Sequence, residues 1–233
     1  MATIPAAKQV NLFVVKGSQF TQRLYYYESE SLSVHTAAAA GDTSVKVAPL
    51  CEAIAASSVV DWDVCESQPY RSVTSGTTAL GADSGQRYRS LAISGNVAFP
   101  LAKGTVGRIA PDLSTRTFAG QIRSGQVSSA GVWGEGTLVY SLANINLDEG
   151  TTATRGLLQV TIPTATTGGL DITVTPSVLG NLSVEQWRER RLPLVQYGDR
   201  SHYTYSIEEV VSGERLQRVF GVIAVGADST LAS

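Results

Sequence analysis

The residues of this sequence that could do chemistry are few and widely spaced. His35 and His202 are the only histidines, too few for a histidine-rich metal site, and each lies in strand-like sequence where a polar strand position is its expected role. Cys51 and Cys65 are the only cysteines, and they have neither a C-x-x-C spacing nor a histidine nearby. We expect buried thiols rather than a disulfide, no metal site and no cofactor.

Paired carboxylates are the next candidates, because two of them can bind calcium or act as general acid and base. Asp61 and Asp63 are two residues apart in a strand-like stretch, so they share one face of that strand. We interpret them as solvent-facing residues opposite a buried Trp62. Asp148-Glu149 and Glu208-Glu209 also supply carboxylates, but nothing in the sequence places them about a cleft.

Motifs for nucleophilic catalysis and for phosphate binding are incomplete. Gly81-Ala82-Asp83-Ser84-Gly85 differs by one position from the Gly-x-Ser-x-Gly elbow of serine hydrolases. Gly134-Glu135-Gly136 lacks the third glycine and the following helix of a dinucleotide-binding loop. We therefore expect no catalytic residues and predict that the protein is not an enzyme.

The composition favours contact with other proteins. Charged residues make up 16% of the 233 residues, against roughly 25% in average soluble domains. A weakly charged surface suits a subunit covered by its neighbours, whereas a net charge of −2 argues against a nucleic-acid partner. No apolar run approaches the length of about 18 residues needed for a membrane span. The first residues lack the features of a secretory signal peptide, so we expect synthesis in a cytoplasm.

Alternating apolar and polar residues predict strands along the whole chain. We predict an all-β protein of two β domains, residues 1–100 and 101–233, the second a sandwich, with one or two short helices. The helices are expected at 49–56 and around Trp187, and a long loop at 68–86. The predicted strands are 10–15, 20–27, 31–35, 44–47, 59–64, 90–94, 118–123, 137–142, 157–162, 170–175, 203–208 and 216–225.

The second half resembles the immunoglobulin-like domain found near the N-terminus of phage tail-fibre and baseplate proteins. A stretch of the first half, 36–62, resembles a short module that recurs in phage tail and fibre components. The segments that carry the resemblance are Pro111-Asp112-Leu113-Ser114-Thr115-Arg116-Thr117-Phe118, Gly120-Gln121-Ile122-Arg123, 157–163, Tyr203-Thr204-Tyr205-Ser206-Ile207-Glu208, Phe220-Gly221-Val222-Ile223-Ala224-Val225 and Ala39-Ala40-Gly41-Asp42-Thr43-Ser44-Val45-Lys46-Val47-Ala48-Pro49-Leu50.

The resemblance implies a structural subunit of a virion tail, in the baseplate, a fibre adaptor or a short tail fibre. Its partners would be other tail or baseplate proteins, further copies of itself and a host-surface receptor. A capsid decoration protein is the first alternative, because it would share the β content and the low charge. A carbohydrate-binding adhesion module is the second alternative, in which Trp133 and the tyrosines at 25–27 would stack on sugar rings.

Four residues are predicted to lie at subunit interfaces. Tyr25 and Tyr26 belong to a run of three tyrosines, and successive side chains of a strand point to opposite faces. Trp187 and Arg188 lie together on the second predicted helix. Tyrosine, tryptophan and arginine are the residues that dominate the binding energy of protein interfaces.

Overall fold

A computed structural model describes residues 8–28, 31–64, 69–124, 136–171 and 203–226. These residues form fourteen strands and one short helix, so the prediction of an all-β protein is confirmed. The elements, in chain order, are β1 Lys8–Gln9, β2 Leu12–Val15, β3 Phe20–Tyr25, β4 Leu32–Thr36, β5 Ser44–Val47, β6 Val59–Trp62, β7 Tyr70–Val73, β8 Arg89–Ala92, β9 Val106–Ala110, β10 Thr117–Ser124, β11 Thr137–Leu142, β12 Leu157–Ile162, α1 Thr164–Gly169, β13 Tyr203–Val211 and β14 Glu214–Gly226.

The chain divides into two units that are not consecutive halves. Unit 1 contains Met1–Leu24, Thr115–Leu147 and Leu158–Ser233, and unit 2 contains Tyr25–Ser114 and Asp148–Leu157. This division differs from the predicted boundary near residue 100. The physical reason is strand pairing, because β1 and β2 join the same sheet as β14 at the other end of the sequence.

Unit 1 is organised by one six-stranded sheet in the order β1-β14-β13-β10-β11, in which β2 also pairs with β14. The last strand is central, as its apolar residues on both faces predict, and Ile223 and Val225 are fully buried. The β13–β14 hairpin turns at Ser212 and Gly213, whose φ angles are 51° and 86°. Two successive positive φ angles are typical of a type I′ turn, which matches the twist of the flanking strands. In the rest of unit 1, β3 and β12 form a two-stranded sheet.

Unit 2 contains a second six-stranded sheet, in the order β7-β6-β9-β4-β5-β8. Its largest core residue is Trp62 on β6, which is fully buried, as the alternation of that strand predicts. The indole N–H of Trp62 donates to the Ser72 hydroxyl over 2.8 Å, so its polar atom is satisfied within the core. Gly107 on β9 lies opposite Trp62 in register, and its lack of a side chain leaves room for the ring.

The helix predicted at 49–56 is wrong. Leu50 and Ile54 form isolated bridges with Gly81 and Thr78, respectively, and both are buried in the core of unit 2. The four-residue spacing of two apolar side chains is compatible with one helix face. Here it arises because Leu50 and Ile54 each pair with another segment of the chain.

The stretches predicted as connections contain further strands. The expected loop 68–86 includes β7, and β9 lies between 94 and 118, where no strand is predicted. Conversely, Leu170 and Asp171 lie outside any strand, although a strand was predicted at 170–175. Strands of four or five residues show too few alternations to be recognised in a serine- and glycine-rich stretch. The predicted helix around Trp187 lies outside the described residues.

Gly107→Ala should destabilise unit 2. A Cβ at this position would lie 2.6 and 2.7 Å from two atoms of the Trp62 ring, and the buried ring has little freedom to move away. We expect the free energy of unfolding, measured by chemical denaturation, to fall by about 1–3 kcal/mol. Gly76→Ala is the matched control, because a Cβ there meets nothing within 4 Å. Equal losses in the two variants would contradict the packing argument.

Tyr205→Phe should change the response of the protein to alkaline pH. Burial raises the pKa of Tyr205, and its hydroxyl donates to the Val10 carbonyl oxygen over 2.7 Å. The folded state therefore keeps this proton where an unfolded tyrosine loses it, above about pH 10. The resulting stability is fully present below that pH and is lost at about 1.4 kcal/mol per pH unit above it. Above pH 10, the free energy of unfolding of the phenylalanine variant, measured by urea denaturation at each pH, should fall less steeply than that of the wild type. Parallel plots of this free energy against pH for the two proteins would refute the prediction.

Candidate functional site

The structure describes two of the four predicted interface residues. Tyr25 ends β3 and is half-buried, whereas Tyr26 is buried within the chain at 7% exposure. Their role at a subunit interface stays a prediction. Trp187 and Arg188 lie outside the described residues, as do His202, Cys65 and Trp133. His35 occupies the polar strand position that was expected, and Cys51 is exposed rather than buried.

Tyr25 and Tyr27 contact a polar cluster in unit 2 that contains Asp61, Arg71 and Arg108, and we call it the Arg71 cluster. At its centre is Asp61, which is fully buried, so the prediction that it faces solvent is wrong. Asp61 on β6 lies opposite Arg71 on β7 in register. The Arg71 guanidinium binds both carboxylate oxygens, over 2.7 and 3.0 Å, and the Tyr27 hydroxyl donates to one of them over 3.0 Å.

Arg71 also binds the segment of unit 2 that returns at 148–157. Its remaining N–H groups donate to the carbonyl oxygens of Thr152, Ala153 and Arg155, over 3.0, 2.8 and 2.7 Å. A guanidinium has five N–H donors, and all five are used here. Arg71 is therefore a clamp that joins β6, β7 and the returning segment.

Two cation–π contacts complete the Arg71 cluster. The guanidinium of Arg71 lies 5.5 Å from the centre of the Tyr25 ring, and that of Arg108 lies 5.6 Å from the centre of the Tyr27 ring. Arg108 in turn pairs with Asp63 over 2.6 Å in a largely exposed position. The rings of Tyr25 and Tyr27 therefore contact arginines of their own unit.

The electrostatics of the Arg71 cluster are those of a structural site. Burial raises the pKa of the Asp61 carboxyl above its ordinary value, while the hydrogen bonds from Arg71 and Tyr27 act in the opposite direction. Burial, followed by the charge of Asp61, raises the pKa of the Tyr27 phenol. Asp61 has both oxygens occupied and Arg71 has no donor left, so this pair holds the fold and offers no group for acid–base work.

A second buried ionic cluster lies in unit 1. Glu209 on β13 and Arg218 on β14 are 5% and 7% exposed, and their closest N–O distance is 2.6 Å. Arg218 is the extra residue of a β-bulge, because the register passes from Val219 directly to Gln217. The bulge turns Arg218 towards Glu209, since an unpaired residue re-aims its side chain. The neighbouring Glu208 instead pairs with the exposed Arg215, so the two adjacent glutamates share no site.

Among the described residues of unit 1, two of the three exposed large apolar side chains lie at one sheet edge, which we call the β11 edge; the third, Val211, ends β13. Leu138 and Val139 are 47% and 37% exposed, and β11 is the last strand in the sheet order. Val139 is the extra residue of a bulge against β10, where the register passes from Tyr140 to Leu138. This bulge leaves two consecutive aliphatic side chains facing solvent.

Sequence reasoning missed both the Arg71 cluster and the β11 edge. The sequence carries one indication of the edge, because Leu138, Val139 and Tyr140 are consecutive apolar residues and a regular strand buries only alternate ones on one face. It carries none of the cluster, in which Arg71 binds a residue 84 positions away. Within the described ranges, no three His, Cys, Asp or Glu residues are placed to hold a metal ion.

Comparisons with protein-family models, with curated proteins and with solved structures find no match for this chain. Among the described residues no helix is both long and apolar enough to cross a membrane.

Asp61→Asn should destabilise unit 2 strongly. The substitution keeps the shape of the side chain but leaves the Arg71 charge without its counter-ion in a buried site. We expect the free energy of unfolding, measured by urea denaturation, to fall by about 3–5 kcal/mol. Asp63→Asn is the matched control, because its pair with Arg108 is largely exposed and should be worth less than about 1 kcal/mol. A loss at Asp61 no larger than in this control would show that the clamp does not hold the unit.

Proposed function

We propose that this protein is a structural subunit of a phage virion tail, part of a baseplate, a fibre adaptor or a short tail fibre. It works through contacts with other tail proteins and with further copies of itself, in tail assembly and host attachment, and it is not an enzyme. It is made in the host cytoplasm and incorporated into the tail. The resemblance of its second half to tail-fibre and baseplate domains supports this assignment.

The immunoglobulin-like character of the second half is part of the same proposal. Four strands that carry the resemblance or adjoin it, β10, β11, β13 and β14, pair antiparallel in one sheet. A two-stranded sheet of β3 and β12 accompanies them in unit 1. Antiparallel pairing of these four strands is what one sheet of an immunoglobulin-like sandwich requires.

The observation that carries the proposal is the β11 edge. Edge strands in monomeric proteins are usually protected by charges or proline, because their free N–H and C=O groups can pair with another chain. Here Leu138 and Val139 stand at the edge instead, and among the described residues no strand pairs with the outer side of β11. Adjacent exposed aliphatic side chains are typical of a contact surface, and we assign this one to a second copy of the chain.

Replacing the two aliphatic residues should dissociate the oligomer. We expect the wild-type protein to show a mass by light scattering of at least twice the 24.6 kDa of one chain. Leu138→Lys combined with Val139→Lys should give the mass of one chain with an unchanged far-UV circular dichroism spectrum, because charges at an edge oppose association. A wild-type protein that is monomeric at high concentration would contradict self-assembly through this edge.

The matched control places the same two charges on polar positions of the same strand. Thr137 and Ser141 are exposed on β11, so Thr137→Lys with Ser141→Lys adds equal charge without removing apolar surface. Retention of the oligomer in the control would assign the contact to Leu138 and Val139. Electron microscopy of the virion then tests location, since density around the tail axis supports a tail subunit and density at capsid three-fold axes indicates a decoration protein.

A further inference from the structure

The solvent-facing side of the unit 1 sheet contains a polar depression of about 230 Å³ over β10, β13 and β14. Six polar residues line it together with the buried Tyr205. They include amides, hydroxyls, a guanidinium and a carboxylate, so that hydrogen-bond donors and acceptors are mixed. The six are Gln121, Arg123, Thr204, Ser206, Glu208 and Gln217.

Two β-bulges flank this depression. Between them the β10–β13 ladder is regular and places Gln121 opposite Ser206 and Arg123 opposite Thr204. The register shifts between Ile122 and Arg123 on the β11 side, and between Ile207 and Glu208 on the β14 side. A bulge bends its strand and increases the local twist. Since both bulges lie at lining residues, the depression results from the backbone geometry of the sheet.

Part of the lining is fixed in place. The Arg123 guanidinium donates twice to the Gln121 side-chain oxygen, over 3.1 and 2.9 Å, and once to the Gly136 carbonyl oxygen over 2.8 Å. This leaves two N–H donors on Arg123 and directs the amide N–H₂ of Gln121 away from the guanidinium. Groups that are already ordered lose little conformational entropy when a ligand binds.

The other lining side chains are available to a ligand. Among the described residues, no partner binds the side chains of Thr204, Ser206 or Gln217. Glu208 shares one oxygen with Arg215 at 3.3 Å, in an exposed pair. The single positive charge of Arg123 and the negative charge of Glu208 balance within the lining, which disfavours an anionic or a cationic ligand.

We propose that this depression binds a neutral sugar. Each sugar hydroxyl can both donate and accept a hydrogen bond, which matches a lining that offers both. A charged ligand would meet a repelling group in either Arg123 or Glu208, and an apolar ligand would offer no hydrogen bonds to Thr204, Ser206 and Gln217. Because the lining contains no exposed aromatic ring, the affinity should be weak, with dissociation constants on the order of millimolar. This site goes beyond the proposed role in assembly and uses none of the residues of the β11 edge.

Nuclear magnetic resonance titration of the full chain tests the proposal. The probes are the methyl glycosides of glucose, galactose, mannose and N-acetylglucosamine, with sodium phosphate as the anionic comparison. We expect at least one glycoside to shift the backbone amide signals of β10 and β13 in a saturable manner. Absence of a saturable shift with all four glycosides, or a stronger response to phosphate, would overturn the assignment.

Thr204→Val combined with Ser206→Ala removes two hydroxyls and changes the size of the side chains little. We expect the dissociation constant to rise about tenfold, as the loss of two hydrogen bonds implies. Thr117→Val, at the exposed start of β10 and outside the depression, is the control and should leave it unchanged. Equal weakening in both variants would place the sugar elsewhere and refute the site. Light scattering on the same samples measures the oligomeric mass, so that a loss of sugar binding can be distinguished from a loss of self-assembly.

Discussion

The ion pair between Asp61 and Arg71 is the interaction on which unit 2 depends. A carboxylate without water is stable only when its charge is balanced and its oxygens are hydrogen-bonded. Asp61 is fully buried, and Arg71 together with the Tyr27 hydroxyl satisfies it. Arg71 extends the requirement to the returning segment 148–157 through three backbone carbonyl oxygens. The pair therefore requires three separate stretches of the chain to be in place together, and it draws the nearby tyrosines into the same cluster.

Unit 1 also buries a carboxylate against an arginine, but here a β-bulge brings the two side chains together. Glu209 is buried against Arg218, and Arg218 reaches it because a bulge adds one residue to β14. The bulge on β11 adds Val139 in the same way and leaves two aliphatic side chains at the sheet edge. The proposed contact surface and the proposed sugar site thus share one origin. Both arise where the ladder of the six-stranded sheet gains a residue and the strands bend.

The sequence predicts the strands of this protein well and its contacts poorly. Long alternating segments such as 118–123 and 203–208 were placed correctly, because a period of two fixes which side chains share a face. The buried position of Trp62 follows from the same pattern, and the same alternation places Asp61 in solvent, whereas the structure buries it against Arg71. Its partner Arg71 lay in a stretch interpreted as a loop. The resemblance to tail proteins predicted a role in assembly but did not point to β11.

By itself the sequence determined the all-β class, the central position of β14, the buried tryptophan and the weakly charged composition. Each of these follows from the identity of residues and their spacing along the chain. Only the tertiary structure decided which strands pair, how the chain divides between two units, and which arginines pair with the buried Asp61 and Glu209. Alternation specifies the face of a strand but not its partner, and hydrogen bonds between backbones are the same for every pair of strands. The partners are therefore chosen by side-chain packing and by charges that meet only once the chain has folded.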